Sequence, residues 1–209
     1  GIPTPAWAVS DAEPPAIRLP VVVKPLHEGS SKGVRDASLA RTPAQLRREI
    51  RRVTRTYGQP AIVERFLPGR EFTVAMIGNP PEILPIVEIR FDSLPGDVNP
   101  LYSYEAKWIW DTAKKPLKIF DCPAKKVPAG VASICRAAWD ALEIRDWCRI
   151  DVRCDAKGRP HILELNPLPG ILPDPSDNSC FPKAARAAGM DYSRLINRVL
   201  DAAIRRYEL

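Results

Sequence analysis

The chain has 209 residues, of which 45% are hydrophobic and 27% charged, and its net charge is +6. These proportions exclude an intrinsically disordered polypeptide, and no apolar run approaches the roughly 20 residues that a membrane-spanning helix needs. The five cysteines form no CxxC pair and only two histidines are present, which argues against a zinc finger, a disulfide scaffold and a Cys–His nucleophile. The charge suits an anionic ligand or a solvated surface, and the odd number of thiols favours a cytoplasmic protein.

The first predicted elements are short strands. Residues 20–24 form an uninterrupted β-branched run, which predicts a buried strand. Residues 60–64, 70–77 and 83–89 predict three more strands by their composition and alternation.

One amphipathic helix is predicted after the first strand. Thr42 is a typical N-cap, Pro43 suits the first helical position, and Gln45 completes a capping box. Gly58 ends the helix. Six arginines lie in or just before it: Arg41, Arg47, Arg48, Arg51, Arg52 and Arg55. We interpret them chiefly as a solvated face, with a phosphate-binding patch as the alternative, and nucleic acid is not favoured because no aromatic residues are interleaved.

The second half mixes helices with a late hairpin. Residues 92–126 are predicted to be mostly loop. Five elements are predicted after them: a helix over 128–142, strands over 149–153 and 161–165, a short helix ending at Gly189, and a final helix from about Ser193. The sequence Asp155-Ala156-Lys157-Gly158 is typical of a tight hairpin turn. Strands and helices mingle, which predicts an α+β fold.

The hairpin carries three oxygen-bearing side chains. Because residues two apart in a strand point to the same face, Glu164 and Asn166 project together, and the turn places Asp151 roughly opposite Glu164. Oxygen ligands without His or Cys favour Mg²⁺ or Mn²⁺ over zinc. The alternative is a surface carboxylate pair that Arg149 or Arg153 neutralises.

A small-residue loop, Glu28-Gly29-Ser30-Ser31-Lys32-Gly33, follows the first strand. Its backbone N–H groups and hydroxyls suit phosphate oxygens, and a plain strand-to-helix turn is the alternative. Lys24 ends a buried strand, where a lysine needs an anionic partner. Lys107 lies among aromatic residues and is either another phosphate ligand or a surface lysine.

Six segments, in one order, resemble the ATP-grasp half of D-alanine–D-alanine ligase and its close relatives. The segments are Val23–Pro25, Glu28–Gly33, Glu64–Val74, Tyr104–Lys107, Arg149–Asp151 and Leu163–Gly170. The resemblance covers roughly residues 1–205. It implies an ATP-grasp fold in which two α+β lobes hold the nucleotide between them, a small lobe over residues 1–70 and a large lobe over residues 71–209.

The resemblance implies nine ATP ligands in this chain, and a further nucleotide-contacting lysine upstream of it. The nine are Lys24, Ser30, Ser31, Glu64, Arg65, Phe66, Leu67, Glu71 and Lys107. Lys24 and Lys107 would bind phosphates, with the serine loop closing over them. Glu64 would accept the adenine amino group, Phe66 would pack on the base, and Glu71 would bind the ribose hydroxyls.

Metal, catalytic and substrate groups are implied by the same resemblance. The metal ligands would be Asp151, Glu164 and Asn166, the catalytic groups Arg149, Gly170, Ser30 and Lys107, and the substrate ligands Ser179 and Trp108. Two Mg²⁺ ions would be bound, with Mn²⁺ as the alternative. Arg149 and the Gly170 N–H would stabilise an oxyanion. Trp108 replaces a tyrosine of the family, and the loop over residues 171–181 is longer than the family's.

The implied activity is the ATP-dependent joining of two small amino acids through an acyl phosphate, as in peptidoglycan biosynthesis. The family carries a further domain ahead of this region, so we expect this chain to be the ATP-grasp part alone. We expect the further domain to complete the enzyme, in the same polypeptide or in another. A homodimer is a separate expectation. The alternatives are a ligase that joins other amino acids in specialised biosynthesis and a non-catalytic nucleotide-binding module.

Overall fold

The computed structural model describes residues 1–111 and 117–208. The chain divides into two compact units. The first unit comprises Pro5–Leu67 and Leu94–Leu117, and the second comprises Gly1–Thr4, Pro68–Ser93 and Lys118–Leu209. The lobe boundary expected at residue 70 stays a prediction. Within the described ranges, every helix is too short or too polar to cross a lipid bilayer.

The first unit is a four-stranded antiparallel sheet with one long helix. Its elements are β1 (Trp7–Ser10), β2 (Val21–Pro25), β3 (Leu39–Ala40), α1 (Pro43–Tyr57) and β4 (Ala61–Arg65). The strands lie in the order β1-β4-β2-β3. A π-helical segment, Ala106–Trp110, belongs to the same unit.

Helix α1 begins and ends as its sequence predicts. The Thr42 hydroxyl accepts a hydrogen bond from the Gln45 N–H, and the Gln45 side chain accepts one from the Thr42 N–H. At the other end Gly58 has a φ of +62°, which is the left-handed conformation that glycine adopts without strain. Leu46 and Ile50 on the buried side of α1 pack against β2 and β4, so one face of this sheet is covered.

The second unit is built on a larger antiparallel sheet. Its elements are β5 (Glu71–Ile77), β6 (Glu82–Ile83), β7 (Val87–Ile89), β8 (Phe120–Asp121), α2 (Val131–Ala141), β9 (Trp147–Cys154), β10 (Pro160–Asn166), α3 (Cys180–Ala187) and α4 (Tyr192–Tyr207). The main path of the sheet is β10-β9-β5-β7-β8, and β6 pairs with β5. This combination of antiparallel sheets and helices confirms the predicted α+β fold.

The two faces of this larger sheet differ sharply in polarity. Phe72 and Val74 of β5, with Ile150 of β9, belong to a buried apolar cluster that includes residues of α2. Because side chains alternate along a strand, Glu71 and Thr73 point to the opposite face. That face carries the polar residues described below.

Three predictions about local structure need correction. The strand predicted over residues 83–89 is split into β6 and β7, because Pro85 has no N–H to donate and restricts the residue before it. Strand β1 was not predicted, since this short edge strand has no buried face. The predicted loop over residues 92–126 contains the π-helical segment and β8, while residues 112–116 lie outside the described residues.

Gly69 is required by a close backbone approach just before β5. Its N–H donates to the Cys154 carbonyl over 2.9 Å, and a Cβ would lie 2.6 Å from that oxygen and 2.7 Å from the Asp155 carbonyl oxygen. We therefore expect Gly69→Ala to lower the free energy of unfolding by about 1–3 kcal/mol, measured by thermal denaturation. The control is Gly29→Ala, where a Cβ would meet nothing within 4 Å. Equal melting temperatures of the two variants would contradict the prediction.

Candidate functional site

Asp151 lies at the centre of the polar face of the second unit. The Thr73 hydroxyl donates to Asp151 Oδ1 over 2.6 Å, because the two residues are opposite one another on β5 and β9. The Arg149 guanidinium donates to both carboxylate oxygens, from Nε to Oδ1 and from Nη2 to Oδ2, each at 3.0 Å. Burial alone lowers the pKa of Arg149, but the charge and hydrogen bonds of Asp151 outweigh it and raise this pKa, so the guanidinium stays charged.

A β-bulge brings β10 into register with this face. Next to the turn the strands pair without interruption, as far as Ile162 opposite Val152. The register then shifts by one residue at Leu163, so that Glu164 lies opposite Asp151. Without the shift, Glu164 would share the apolar face with Ile162, since residues two apart share a face.

Asn166 completes the group of three oxygen-bearing side chains. It lies opposite Arg149, and its Nδ2 donates to Asp151 Oδ2 over 3.2 Å. Asp151, Glu164 and Asn166 therefore share one sheet face, with only oxygen as a metal-ligating atom, a donor set that fits Mg²⁺. In residues 1–111 and 117–208, no three His, Cys, Asp or Glu side chains form a metal-binding group. The group described here has two carboxylates, and its third member is the amide of Asn166. Neutralisation of the carboxylate by Arg149, the alternative considered above, is also present.

Glu71 belongs to the same face and forms a buried ion pair. Arg153 Nη1 donates to Glu71 Oε2 over 2.8 Å, and the two residues lie opposite one another on β9 and β5. Only 3% of Arg153 and 7% of Glu71 are exposed. The Arg153 guanidinium also lies 4.9 Å from the ring centroid of Phe91. Glu71 is thus held in place by a charged partner.

The loop before α3 is held by Ser179. The Ser179 hydroxyl donates to the Gly170 carbonyl oxygen over 3.2 Å and accepts from the Leu172 N–H over 3.1 Å. The Tyr192 hydroxyl donates to the Ile171 carbonyl oxygen over 3.1 Å. Ser179 itself is buried. These contacts fix the backbone next to Gly170, and the substrate role of Ser179 stays a prediction.

In the first unit, Lys24 finds the anionic partner that its position requires. Its Nζ forms an ion pair with the carboxylate of Glu64 on the neighbouring strand β4. Both side chains are more than two-thirds buried. They lie on the sheet face opposite α1, as does Val22, the cross-strand neighbour of Glu64.

The glycine-rich loop is anchored by residues of the segment 102–108. Ser30 and Ser31 have φ angles of +53° and +60°, so both adopt a left-handed conformation. The Ser31 hydroxyl donates to the Tyr102 carbonyl oxygen over 2.8 Å, and Trp108 Nε1 donates to the Ser30 carbonyl oxygen over 3.2 Å. Lys107 Nζ lies 5.6 Å from the ring centroid of Trp108. The loop, the lysine and the indole therefore lie together in this unit.

The segment after β4 carries the predicted adenine ligands. The Arg65 N–H donates to the Ala6 carbonyl oxygen over 2.8 Å, and the Phe66 N–H donates to the Pro20 carbonyl oxygen over 3.0 Å. The Phe66 ring packs against an apolar cluster that contains Leu101. Leu67 is buried. The two backbone hydrogen bonds hold the backbone of Arg65 and Phe66 in place.

The cysteines form no disulfide. All five are free thiols. Burial raises the pKa of Cys135 to about 12 and that of Cys148 to about 11, so both stay protonated at neutral pH. Cys135 lies in the apolar core, as predicted.

Sequence reasoning missed two residues of the polar face. Thr73 was not singled out, although it lies two residues after Glu71 in an alternating strand and therefore shares its face. Arg153 was considered only as a partner of the hairpin carboxylates, whereas it pairs with Glu71. Because Arg153 lies two residues after Asp151 in the same strand, the alternation of side chains could have placed Arg153 on the polar face.

Comparisons with known proteins agree on one family. The family model described as "D-ala D-ala ligase C-terminus" matches residues 7–201. The protein y4sG of Sinorhizobium fredii is 39% identical over 99% of this chain and 60% of its own length. The D-alanine–D-alanine ligase of Chromohalobacter salexigens is 34% identical over 96% of this chain and 60% of its own length.

A solved structure shows the same fold. The crystal structure of D-alanine–D-alanine ligase from Bacillus anthracis complexed with ATP matches with a TM-score of 0.70 at 23% identity, over 99% of this chain and 63% of that one. The chain thus spans about 60% of the length of the curated relatives named above. With a family model that covers residues 7–201, the chain belongs to the family of D-alanine–D-alanine ligase C-terminal domains.

Proposed function

We propose that this chain is the ATP- and metal-binding part of a ligase that joins two small amino acids, as D-alanine–D-alanine ligase does. The observation that supports this most directly is the polar sheet face that collects Asp151, Glu164 and Asn166 beside a charged Arg149. Asp151 and Asn166 are oriented by hydrogen bonds and Glu164 is exposed beside them, so their oxygens can receive a cation.

The nucleotide ligands follow from the family's pattern. Lys24 and Lys107 would neutralise phosphate oxygens, and the loop containing Ser30 and Ser31 would close over them. Glu64, now paired with Lys24, would accept the adenine amino group, while the backbone of Arg65 and Leu67 reads the rest of the base edge. Phe66 would pack on the base, and Glu71 would bind the ribose hydroxyls.

In the proposed reaction, the carboxylate of one amino acid attacks the γ-phosphate of ATP and forms an acyl phosphate and ADP. The amine of the second amino acid then attacks the carbonyl carbon and displaces phosphate. Asp151, Glu164 and Asn166 would hold two Mg²⁺ ions, which when bound neutralise charge on the transferred phosphoryl group. Arg149 and the Gly170 N–H would stabilise the oxyanion of the second step. Ser179 and Trp108 would contact the amino-acid substrates.

The remaining part of the longer relatives would complete this enzyme. We propose that a domain preceding this region, in the same or another polypeptide, supplies further contacts to the first amino acid, and that the reaction takes place in the cytoplasm, where ATP is available. A homodimer and a place in peptidoglycan biosynthesis are part of the same proposal.

The experiment that tests the proposal is a measurement of ADP release by the full-length protein across D- and L-amino acids. ADP release that requires Mg²⁺ and D-alanine is the expected result. Release only with other amino acids would reassign the substrate, since Trp108 and the loop over residues 171–181 depart from the family pattern. Nucleotide binding without ADP release under any condition would favour the non-catalytic alternative.

A second prediction concerns the indole that anchors the glycine-rich loop. Trp108→Phe removes the hydrogen bond to the Ser30 carbonyl oxygen and keeps an aromatic ring. A bond of this kind contributes about 0.5–1.5 kcal/mol, so we expect KM for ATP to rise roughly three- to tenfold in steady-state kinetics. Trp110→Phe, in the same π-helical segment, is the matched control and should leave KM unchanged. Equal kinetics for both variants would show that the indole N–H does not order the loop.

A further inference from the structure

The outward face of α1 carries a concentrated positive charge that the proposed function does not use. Arg47, Arg51 and Arg55 are exposed and follow one another at intervals of four residues, which places them in one stripe with about 6 Å between neighbours along the helix axis. An open hollow of 520 Å³ lies along this stripe. It is lined by Ala44, Arg47, Arg48, Arg51, Arg52 and Arg55.

The charges of Arg47, Arg51 and Arg55 are not compensated by acidic neighbours, whereas Arg48 and Arg52 both pair with Glu49. Glu49 is the only acidic residue in the sequence of α1, and it is 1% exposed. Its carboxylate is bonded by Arg52 Nε at 2.7 Å, on the inner side of the arginine cluster. In the part of the chain that the structure describes, no carboxylate lies within 4 Å of the side chains of Arg47, Arg51 or Arg55.

Repulsion within the stripe opposes the helix, and only Arg55, in the last turn, gains from the helix dipole. Like charges four residues apart destabilise a helix by about 0.2–0.5 kcal/mol per pair, and Arg47, Arg51 and Arg55 form two such pairs. The helix is already held by its capping box and its buried apolar side. Arg47 and Arg51, which lie away from the last turn, gain nothing from the dipole, and the uncompensated charge of the stripe points to an anionic partner.

We propose that the outward face of α1 is a binding surface for chains of phosphate groups, held through charge and not through bases. Guanidinium groups bind phosphate oxygens in a bidentate geometry, and an open hollow lined by several of them admits an extended polyanion. Tyr57 is the only aromatic residue in α1, and its ring packs against the core of the first unit. The face therefore has no aromatic ring on which a base could stack.

The test is calorimetric titration of the full-length protein with linear inorganic polyphosphate and with a single-stranded DNA oligonucleotide of equal charge, at several salt concentrations. The variant Arg47→Gln/Arg51→Gln/Arg55→Gln removes the stripe. The matched control, Arg18→Gln/Arg194→Gln/Arg205→Gln, removes three exposed arginines from separate places. We expect the stripe variant to weaken polyphosphate binding at least tenfold, and the slope of log Kd against log salt to fall by about 2, as three lost phosphate contacts require.

Each outcome decides the proposal. Binding of both polymers with loss only in the stripe variant supports it, and binding of polyphosphate alone assigns the surface to inorganic polyphosphate. Equal loss in the stripe variant and the control, or no binding of the wild-type protein near physiological salt, overturns it. Binding of the oligonucleotide alone also overturns it, because bases would then be required. The melting temperature of the stripe variant, expected to be unchanged or higher, separates lost binding from lost folding.

Discussion

Replacing Glu164 with glutamine should reduce ADP release by the full-length protein at least about a thousandfold. Glu164 lies opposite Asp151 on the polar sheet face and supplies one of its two hairpin carboxylates. A metal ion contributes several kcal/mol to the stabilisation of charge in a phosphoryl transfer, and each 1.36 kcal/mol is a factor of ten in rate. The amide keeps the shape of the side chain and removes its charge.

The affinity for Mg²⁺, measured in addition to the rate of ADP release, tests directly whether Glu164 is a metal ligand. Titration of the Glu164→Gln variant with Mg²⁺ in the presence of a non-hydrolysable ATP analogue should show at least tenfold weaker binding of the ion. Because Glu164 is exposed, the melting temperature should stay within about 1 °C of the wild-type value. Asp140→Asn, which removes an exposed carboxylate of α2, is the control and should change neither quantity. Unaltered Mg²⁺ binding by Glu164→Gln would refute its role as a ligand.

Replacing Arg153 with methionine should produce the largest loss of stability. The change leaves the buried carboxylate of Glu71 without its guanidinium, and breaking a buried pair from one side costs about 3–5 kcal/mol. For a chain of this length, that corresponds to a fall of roughly 10 °C in the melting temperature. Thermal denaturation of the full-length protein measures it.

A double variant shows whether the loss of stability comes from the unpaired charge of Glu71 or from poor packing of the new methionine. Glu71→Gln combined with Arg153→Met removes both charges, and we expect this double variant to recover more than half of the lost stability. Arg159→Met, which removes a largely exposed partner of Asp155, should cost less than about 1 kcal/mol. A double variant no more stable than Arg153→Met would mean that the methionine itself does not fit among its neighbours.

The parts of the fold that sequence predicted well depend on local signals. Helix α1 was predicted from Thr42 to Gly58 because its caps are formed by residues three or four positions apart. The hairpin was predicted from four turn residues, and Gly158 does adopt a positive φ. Glu164 and Asn166 were expected on one face for the same reason, since the period of a strand is a local property.

The parts that sequence did not predict depend on contacts between distant segments. The pair of Glu71 with Arg153 joins residues 82 positions apart, and that of Thr73 with Asp151 joins residues 78 apart. Both require the register of β5 against β9, which no pattern within either strand contains. The bulge at Leu163 was also missed: Glu164 was expected roughly opposite Asp151 and lies there, but an uninterrupted register from the turn would place Leu163 at that position. The roles of these side chains in binding stay predictions.

That bulge limits which insertions and deletions this hairpin tolerates during evolution. Residues 156–158 form the turn between the bonded residues Asp155 and Arg159, so an insertion there lengthens the loop and leaves the pairing of Asp151 with Glu164 intact. Deletion of Leu163 alone would restore regular pairing and keep Glu164 opposite Asp151 and Asn166 opposite Arg149, whereas deletion of Ile162 as well would turn both side chains towards the apolar core. The two ligand candidates thus survive the loss of one codon at the bulge, and the loss of two would remove both from the polar face at once.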